Sequence, residues 1–453
     1  MSMGSGDSTY RVPVRGESED MYNDVTLPIT EINALKALEQ LLQDNGCLNQ
    51  GASIPLVLKD RIERNESKIG FYAENNTVIA LSVRYCALTS LPNSLGQLTN
   101  LQQLDLTGNQ ITLLPTSLGN LIHLKKLYLD GNQITSLPEM LGNLIHLEEI
   151  HLDANRLASL PESIRKLTNL KTLNVYGNTL VSVPASLSQL TRLKEVSLGR
   201  NQLTSLPEAF WQLTNLHLLN IGENRLSSLS ESIGNLANLT TLDVGHNKLA
   251  ALPESLGKLR NLTFFLYLSN NHLTALPESL GNLSNLAYLN ATDNHLTALP
   301  ENIGNLTNLK ELRLYNNRLT ALPSSLGNLS NLKELHVWNN QLVSLPESLG
   351  SLTSLRKFSL YDNQLASLPE SLGNLASLTD LDLRNNQLMA LPESLGNLTS
   401  LTYLDLRGNK LVSLPASMGD LAKLEKLDLR WNKLSSLPDW IQRLEQRGCT
   451  VFK

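Results

Sequence analysis

Cysteine, aromatic residues and long apolar runs are all scarce in this chain. Its 453 residues include only three cysteines, Cys47, Cys86 and Cys449, scattered and odd in number. That is not the clustered framework of a disulfide-stapled secreted domain, and reduced thiols in a cytosol are the simpler reading. No apolar run approaches the roughly 20 residues needed to span a bilayer. The amino terminus, MSMGSGDSTYRVPVRGESEDMYNDV, lacks the apolar stretch of a signal peptide. A cytoplasmic location without membrane contact is therefore expected. Basic residues are in no excess: 37 against 42 acidic give a net charge of −5, so no basic field would gather nucleic acid. There is no G-x-x-x-x-G-K-[ST] loop, kinase motif set or nucleophile–base pair, so no catalytic residue and no cofactor are expected. Six scattered histidines (His123, His146, His217, His246, His272, His295) nowhere share a face with other ligands at metal-binding spacing, and no metal site is expected.

What the chain has instead is leucine at fixed intervals. Leu309 to Asn331 reads LKELRLYNNRLTALPSSLGNLSN, and Leu332 to Ser354 repeats it as LKELHVWNNQLVSLPESLGSLTS. The skeleton is L-x-x-L-x-L-x-x-N-x-L-x-x-L-P-x-x-L-G-x-L-x-x, with a period of 23. In L-x-x-L-x-L the apolar residues alternate with polar ones, the pattern of a strand buried on one face. The Asn column, Asn109 to Asn432, ends each strand and turns its amide inward; only the first repeat departs, with Cys86. Proline then fixes the turn away from the strand, and glycine admits the next turn closely. Glutamates recur after the proline, among them Glu139, Glu254, Glu347 and Glu393, and read as a solvated acidic rim. Cys86 and Cys449 read as small buried residues.

Residues 1–26 are polar and aperiodic, and are expected to be a disordered tail. Residues 27–77 form an amino-terminal cap. Within it an amphipathic helix begins at Ile29, with Thr30 as N-cap, Ile32, Leu35, Leu38 and Leu42 on one face, and Gly46 past its end. A hairpin turning at Asn75-Asn76 completes the cap. Sixteen repeats occupy 78–446, and one extra residue between Leu262 and Leu268 predicts a local bulge. Trp440, Ile441 and Leu444 form a last helical face, Gly448 stops it, and 447–453 add a closing strand, the cap an open solenoid end requires.

These repeats resemble the leucine-rich-repeat superfamily. The L-P-x-x-[IL]-G-x-L variant is similar to the intracellular type of Ras-suppressor proteins, Scribble-like scaffolds and many prokaryotic members. The resemblance implies an α/β solenoid: a right-handed horseshoe with a concave parallel β-sheet, a helix-plus-hairpin cap before it and a short helical cap after it. It also implies a non-enzymatic scaffold that binds a partner protein on the concave face, as a monomer or with weak self-association. A ligand sensor binding carbohydrate or peptide, or a self-associating structural solenoid, are the alternatives.

The variable strand positions carry the candidate site. Two residues before the ladder Asn, small residues (Gly199, Gly222, Gly245, Ser269, Thr292) give way to Tyr315, Trp338 and Tyr361, then to Arg384, Arg407 and Arg430. With rungs about 4.8 Å apart, the three aromatics make one strip. Arg313 and His336 stand two columns earlier, Asp382, Asp405 and Asp428 face the arginines, and Trp431 lies at the rim. Aromatic and Arg side chains dominate interface hot spots, so this strip is the expected partner-binding site. Tyr128, Asp130, His151, Asp153 and Tyr176 form a more acidic rival surface, and Trp211, standing where the repeat has glycine, reads as local packing.

Overall fold

A computed structural model describes residues 18–64 and 66–453. The chain divides into two units, 1–148 and 149–453.

Unit one is the cap and the first rungs. It opens with an antiparallel hairpin, β1 (Glu19–Tyr22) and β2 (Val25–Pro28), turning at Asn23 and Asp24 with φ of 45° and 61°. The expected tail therefore fails from Glu19 onward, and residues 1–17 lie outside the described residues. Asn and Asp tolerate the left-handed backbone of a tight turn, and Tyr22 and Leu27 are buried. Helix α1 (Ile29–Asp44) follows at once. Its N-cap is Pro28, not Thr30, because the chain enters directly from β2 with the φ of proline already set. Ile32, Ala34, Leu35, Leu38 and Leu42 are buried, and Gly46 takes φ +69° beyond its end. Two buried helix carboxylates organise the cap. Glu31 accepts the Val78 N–H at 2.8 Å; Glu39 accepts the Ile54 N–H at 2.8 Å and the Tyr22 hydroxyl. After the short α2 (Lys59–Glu63), strands β3 (Ile69–Glu74) and β4 (Thr77–Val83) form the expected hairpin, with Asn75 and Asn76 at positive φ. β4 then pairs in parallel with the first regular rung, Gln103–Asp105.

The structure joins Cys47 to Cys86 in a disulfide, with Cα atoms 5.4 Å apart. The expectation of reduced thiols is thereby corrected for this pair. The two are 39 residues apart in sequence, and only folding of the cap against the first rung brings them together. Cys449 stays a buried thiol.

Unit two consists of three-residue strands, from Glu149–His151 to Lys426–Asp428, closed by Thr450–Phe452. All pair in parallel, and each central apolar residue faces the next 23 residues on, as Leu312 faces Leu335. Two pairs are 24 apart instead, Leu427 facing Val451 at the closing strand and Leu242 facing Leu266. The additional residue of that repeat is absorbed ahead of its strand, where Phe264 and Thr263 both donate to the Thr240 carbonyl. Strand pairing stays regular and Phe264 is pushed outward, 57 % exposed.

The strand leucines are buried, each contributing about 1.5–3 kcal/mol. The Asn column locks successive rungs together. Asn317 accepts the Leu296 N–H at 3.0 Å and donates to the Ala291 and Leu314 carbonyls, each at 2.9 Å. A proline leads the returns into five-residue 3-10 turns, such as Glu301–Asn305 after Pro300, except at Glu231–Asn235, where Ser230 stands instead and accepts the Ser232 N–H. Glycine in the 3-10 turn admits the next turn closely: a Cβ on Gly304 would lie 2.3 Å from the Ser325 carbonyl oxygen. Trp211, which replaces this glycine, is 2 % exposed and packs edge-on against Phe210 at 5.5 Å.

Two further ladders bind neighbouring repeats. On the return side, Glu231 accepts the Ser255 N–H at 2.9 Å and Glu347 that of Ser371 at 3.1 Å. Glu347, read as part of a solvated rim, and Glu231 are both exposed, and each also caps the start of the next turn, which favours negative charge there. On the flank, Asn238 donates to the Thr214 carbonyl and Asn261 to that of Ala237. Trp440, Ile441 and Leu444, on α3 (Trp440–Gln446), bury the last repeat.

Candidate protein-binding face

On each rung of unit two the first and third strand residues point away from the core, followed by the residue before the positive-φ turn. Tyr315, Trp338 and Tyr361 occupy this last column. Their rings stack nearly parallel: centroids 4.1 Å apart at 7° between Tyr315 and Trp338, and 4.8 Å at 9° between Trp338 and Tyr361. The Arg384 guanidinium closes the stack, 4.1 Å above the Tyr361 ring. Ring faces are therefore spent on one another along the rung direction, and ring edges are what the ladder shows to solvent. Each aromatic pair contributes about 0.5–1.5 kcal/mol beyond its buried area.

The arginines are not free hands. Arg407 holds Asp405 through Nη2 at 2.7 Å and Nε at 3.0 Å, and reaches Asp428 at 3.4 Å. Arg430 holds Asp428 at 2.6 Å. Both carboxylates are only 1 % exposed, so these pairs are part of the structure rather than a solvated fringe. Burial alone would raise the Asp428 carboxyl, but hydrogen bonds from Arg430 hold it below the ordinary range. Asp382 lies beside a longer contact, 3.4 Å to Arg384, and its burial prevails, pushing its pKa up to about 6. Trp431 is 72 % exposed at φ +61°, with Arg430 over its ring at 5.6 Å.

Arg313 and His336 belong to a second cluster. Arg313 Nε lies 2.5 Å from Glu311, His336 Nε2 lies 3.2 Å from Glu334, and Lys357 reaches Glu334 at 3.2 Å. Burial would raise the Glu334 carboxyl, but His336 and Lys357 hold it low. Ligand atoms of Glu311, Glu334 and His336 fall within 4.8 Å of one another, a grouping that the expectation of no metal site did not weigh. Both carboxylates are already neutralised by Arg313 and Lys357.

The small-residue column has its own explanation at one end. A Cβ on Gly199 would lie 2.8 Å from the Tyr176 ring, and Tyr176 runs across it to donate to Glu223 at 2.6 Å. The rival surface around Tyr176 is thus partly closed on itself, with Asp153 accepting the Tyr176 N–H at 2.7 Å.

Sequence reasoning missed an aromatic group in the irregular repeat. Phe265 stacks on Tyr267 at 5.6 Å and meets Tyr288 edge-on at 5.4 Å. Arg313 lies 5.4 Å from the Tyr288 ring, and burial pushes the Tyr288 hydroxyl up to about 12. Phe265 and Tyr288 stand in the first strand position, outside the two columns that carry the expected site, and Tyr267 stands in the third, ahead of the rungs from Arg313 on. The inserted residue was the available signal.

Family models agree with this architecture. One described as a leucine-rich repeat region matches residues 205–289, 268–383 and 348–446. A leucine rich repeat model matches 76–134, 145–203 and 168–226. No curated protein matches the chain. Among solved structures, a leucine-rich-repeat protein of Leptospira interrogans is 35% identical, covering 89% of this chain and 100% of that one, with a TM-score of 0.75. The plant peptide hormone receptor RGFR1, solved in complex with RGF2, is 28% identical over 80% of this chain and 68% of its own, TM-score 0.64. An internalin of Listeria monocytogenes, InlF, is 26% identical over 89% and 97%, TM-score 0.54. Proteins of this kind generally mediate protein–protein interaction and are typically non-enzymatic. With repeat models spanning most of its length and a relative at 35% identity, the chain belongs to the leucine-rich-repeat family.

Proposed function

We propose that the chain is a non-enzymatic scaffold that binds a partner protein on the strand face of unit two, over the Tyr315–Trp338–Tyr361 ladder. The observation that carries this reading is the ladder itself, three aromatics held parallel and closed by Arg384. Such side chains are rigid before a partner arrives, so little further rotamer entropy is lost on docking. Arg313 and His336 flank the ladder, and Arg384, Arg407, Arg430 and Trp431 continue it. The arginines supply a fixed, shaped border, since their carboxylate partners already hold them.

Sugar recognition fits less well. Stacking on a sugar ring needs a free aromatic face, and in this ladder the inner faces are occupied. The solved relative RGFR1 binds a peptide hormone, in keeping with a protein or peptide partner here. No helix among the described residues is long and apolar enough to cross a membrane. The Cys47–Cys86 disulfide belongs to the chemistry of oxidising compartments, so we place folding of this chain there rather than in a reducing cytosol.

The test is affinity capture from native extract with wild type and a Tyr315→Ala/Trp338→Ala variant, both checked by circular dichroism. The arginines are left intact because removing them would expose buried carboxylates. A partner captured by wild type and lost by the folded variant supports the site; one retained by the variant sinks it.

A further inference from the structure

The irregular repeat places an aromatic pad beside a row of unbalanced positive charge. Phe264 and Phe265 are 57 % and 40 % exposed, the most exposed phenylalanines of the described chain. Phe265, Tyr267 and Tyr288 meet at angles between 20° and 71°, so this group, unlike the stacked ladder, turns part of its ring surface outward. The pad exists because one residue was added to the repeat, which forces Phe264 out of the strand.

The cations follow on the same flank. The backbone position that Thr263 and Phe264 share in the irregular repeat is held by Ala287, Lys310, Lys333 and Arg356 in the next four, linked by Lys310 N–H to the Ala287 carbonyl, Lys333 to Lys310 and Arg356 to Lys333. Lys310, Lys333 and Arg356 are exposed, and among the described residues they have no ion-pair partner. The acids that could have balanced them are taken: Glu311 by Arg313, and Glu334 by Lys357 and His336. Three like charges at successive rungs, roughly 4.8 Å apart, repel one another. They call for a complementary acid from outside.

Resting on the reading of this face as a protein-binding surface, we propose that the pad and the cation row together dock an extended acidic segment of a partner protein. One apolar side chain of that segment sits on Phe264 and Phe265, and its carboxylates lie along Lys310, Lys333 and Arg356. Lys310 is two rungs from Phe264, about 10 Å, which an extended chain spans in roughly three residues. The recognised pattern is thus an aromatic or aliphatic anchor with Asp or Glu beginning about three positions away. An anionic bilayer is a poorer match, because Glu311, Glu334 and Asp380 interleave with the cations and the chain as a whole carries a net charge of −5.

The experiment is selection from a random twelve-residue phage library on the immobilised full chain, followed by fluorescence anisotropy of the most enriched peptide. Enriched sequences should carry the anchor-plus-acid pattern. The labelled peptide should weaken at least tenfold against Phe264→Ser/Phe265→Ser and at least tenfold against Lys310→Ser/Lys333→Ser, both folded by circular dichroism. No enrichment, enrichment of neutral or basic peptides, or affinity unchanged in either variant overturns the proposal. So does binding to phosphatidylserine vesicles, or a wild-type dimer in light scattering, that the same variants abolish. A peptide lost with Trp338→Ala but not with the Phe264/Phe265 variant would overturn this docking mode while leaving the ladder as the binding site.

Discussion

Replacing Arg407 with methionine should damage the last rungs far more than an exposed arginine normally would. Arg407 makes a two-nitrogen contact with Asp405 and a further contact with Asp428, and the carboxylates are each 1 % exposed. Methionine keeps much of the stem's packing and removes the charge. Asp405 would then retain only the Tyr403 hydroxyl at 3.0 Å and the residue 407 N–H at 3.1 Å as donors. Stranding a buried charge in this way costs about 3–5 kcal/mol. A repeat array does not unfold as one unit, so the loss belongs to local opening rather than to a single melting transition. The assay is native-state hydrogen exchange at the Leu404 and Leu427 amides. Protection there should fall by roughly two to four decades, at about 1.36 kcal/mol per decade, and be largely restored by Asp405→Asn in the same chain. A loss below about 1 kcal/mol, the range of solvent-exposed pairs, would refute the reasoning and return the arginines to the solvent.

Asp382→Asn should stabilise the fold at pH 8. A carboxyl raised to about 6 in the folded chain, mainly by burial, opposes folding above that pH, and the penalty fades as pH falls toward 4. The gain is at most about 3 kcal/mol, and a melting-temperature shift that persists undiminished at pH 4 would contradict it. Asn317→Ala orphans the Leu296 N–H, while the Leu314 and Ala291 carbonyls keep Asn340 and Asn294 as donors, and should cost about 1–3 kcal/mol by native-state hydrogen exchange at the Leu312 amide, the cost of one buried unpaired group. Opening the Cys47–Cys86 bridge releases a 39-residue loop, worth about 4 kcal/mol in the chain-entropy account. Reductant should lower the stability of unit one, and alkylation of the unreduced, denatured chain should label Cys449 alone.

Leucine spacing, the Asn column and the proline–glycine returns were legible because each is dictated within one repeat. The hairpin at Asn75-Asn76 and the bulge near Phe264 were equally local. What escaped were relations between segments. Cys47 and Cys86 meet only after the cap folds; Glu231 and Glu347 are exposed acids, but the N–H groups of Ser255 and Ser371 that they accept come from the next turn. The β1–β2 hairpin had its signal in Asn23-Asp24, masked by short polar flanks. At the candidate site the column order was right, but orientation was not in the letters. Nothing in the spacing of Tyr315, Trp338 and Tyr361 says that the rings stack face to face, nor that Asp405 and Asp428 are buried beneath their arginines.

The central claim is that a partner docks over the aromatic ladder. Its most direct measurement is the affinity of the captured partner for immobilised wild type and for Trp338→Ala, by surface plasmon resonance on chains with matching circular dichroism. Trp338 has a stacked neighbour on both sides, so its loss removes the centre of the strip. Affinity should fall at least about tenfold, the roughly 1.4 kcal/mol or more typical of a hot-spot residue. An affinity within about twofold of wild type, below that threshold, would contradict it.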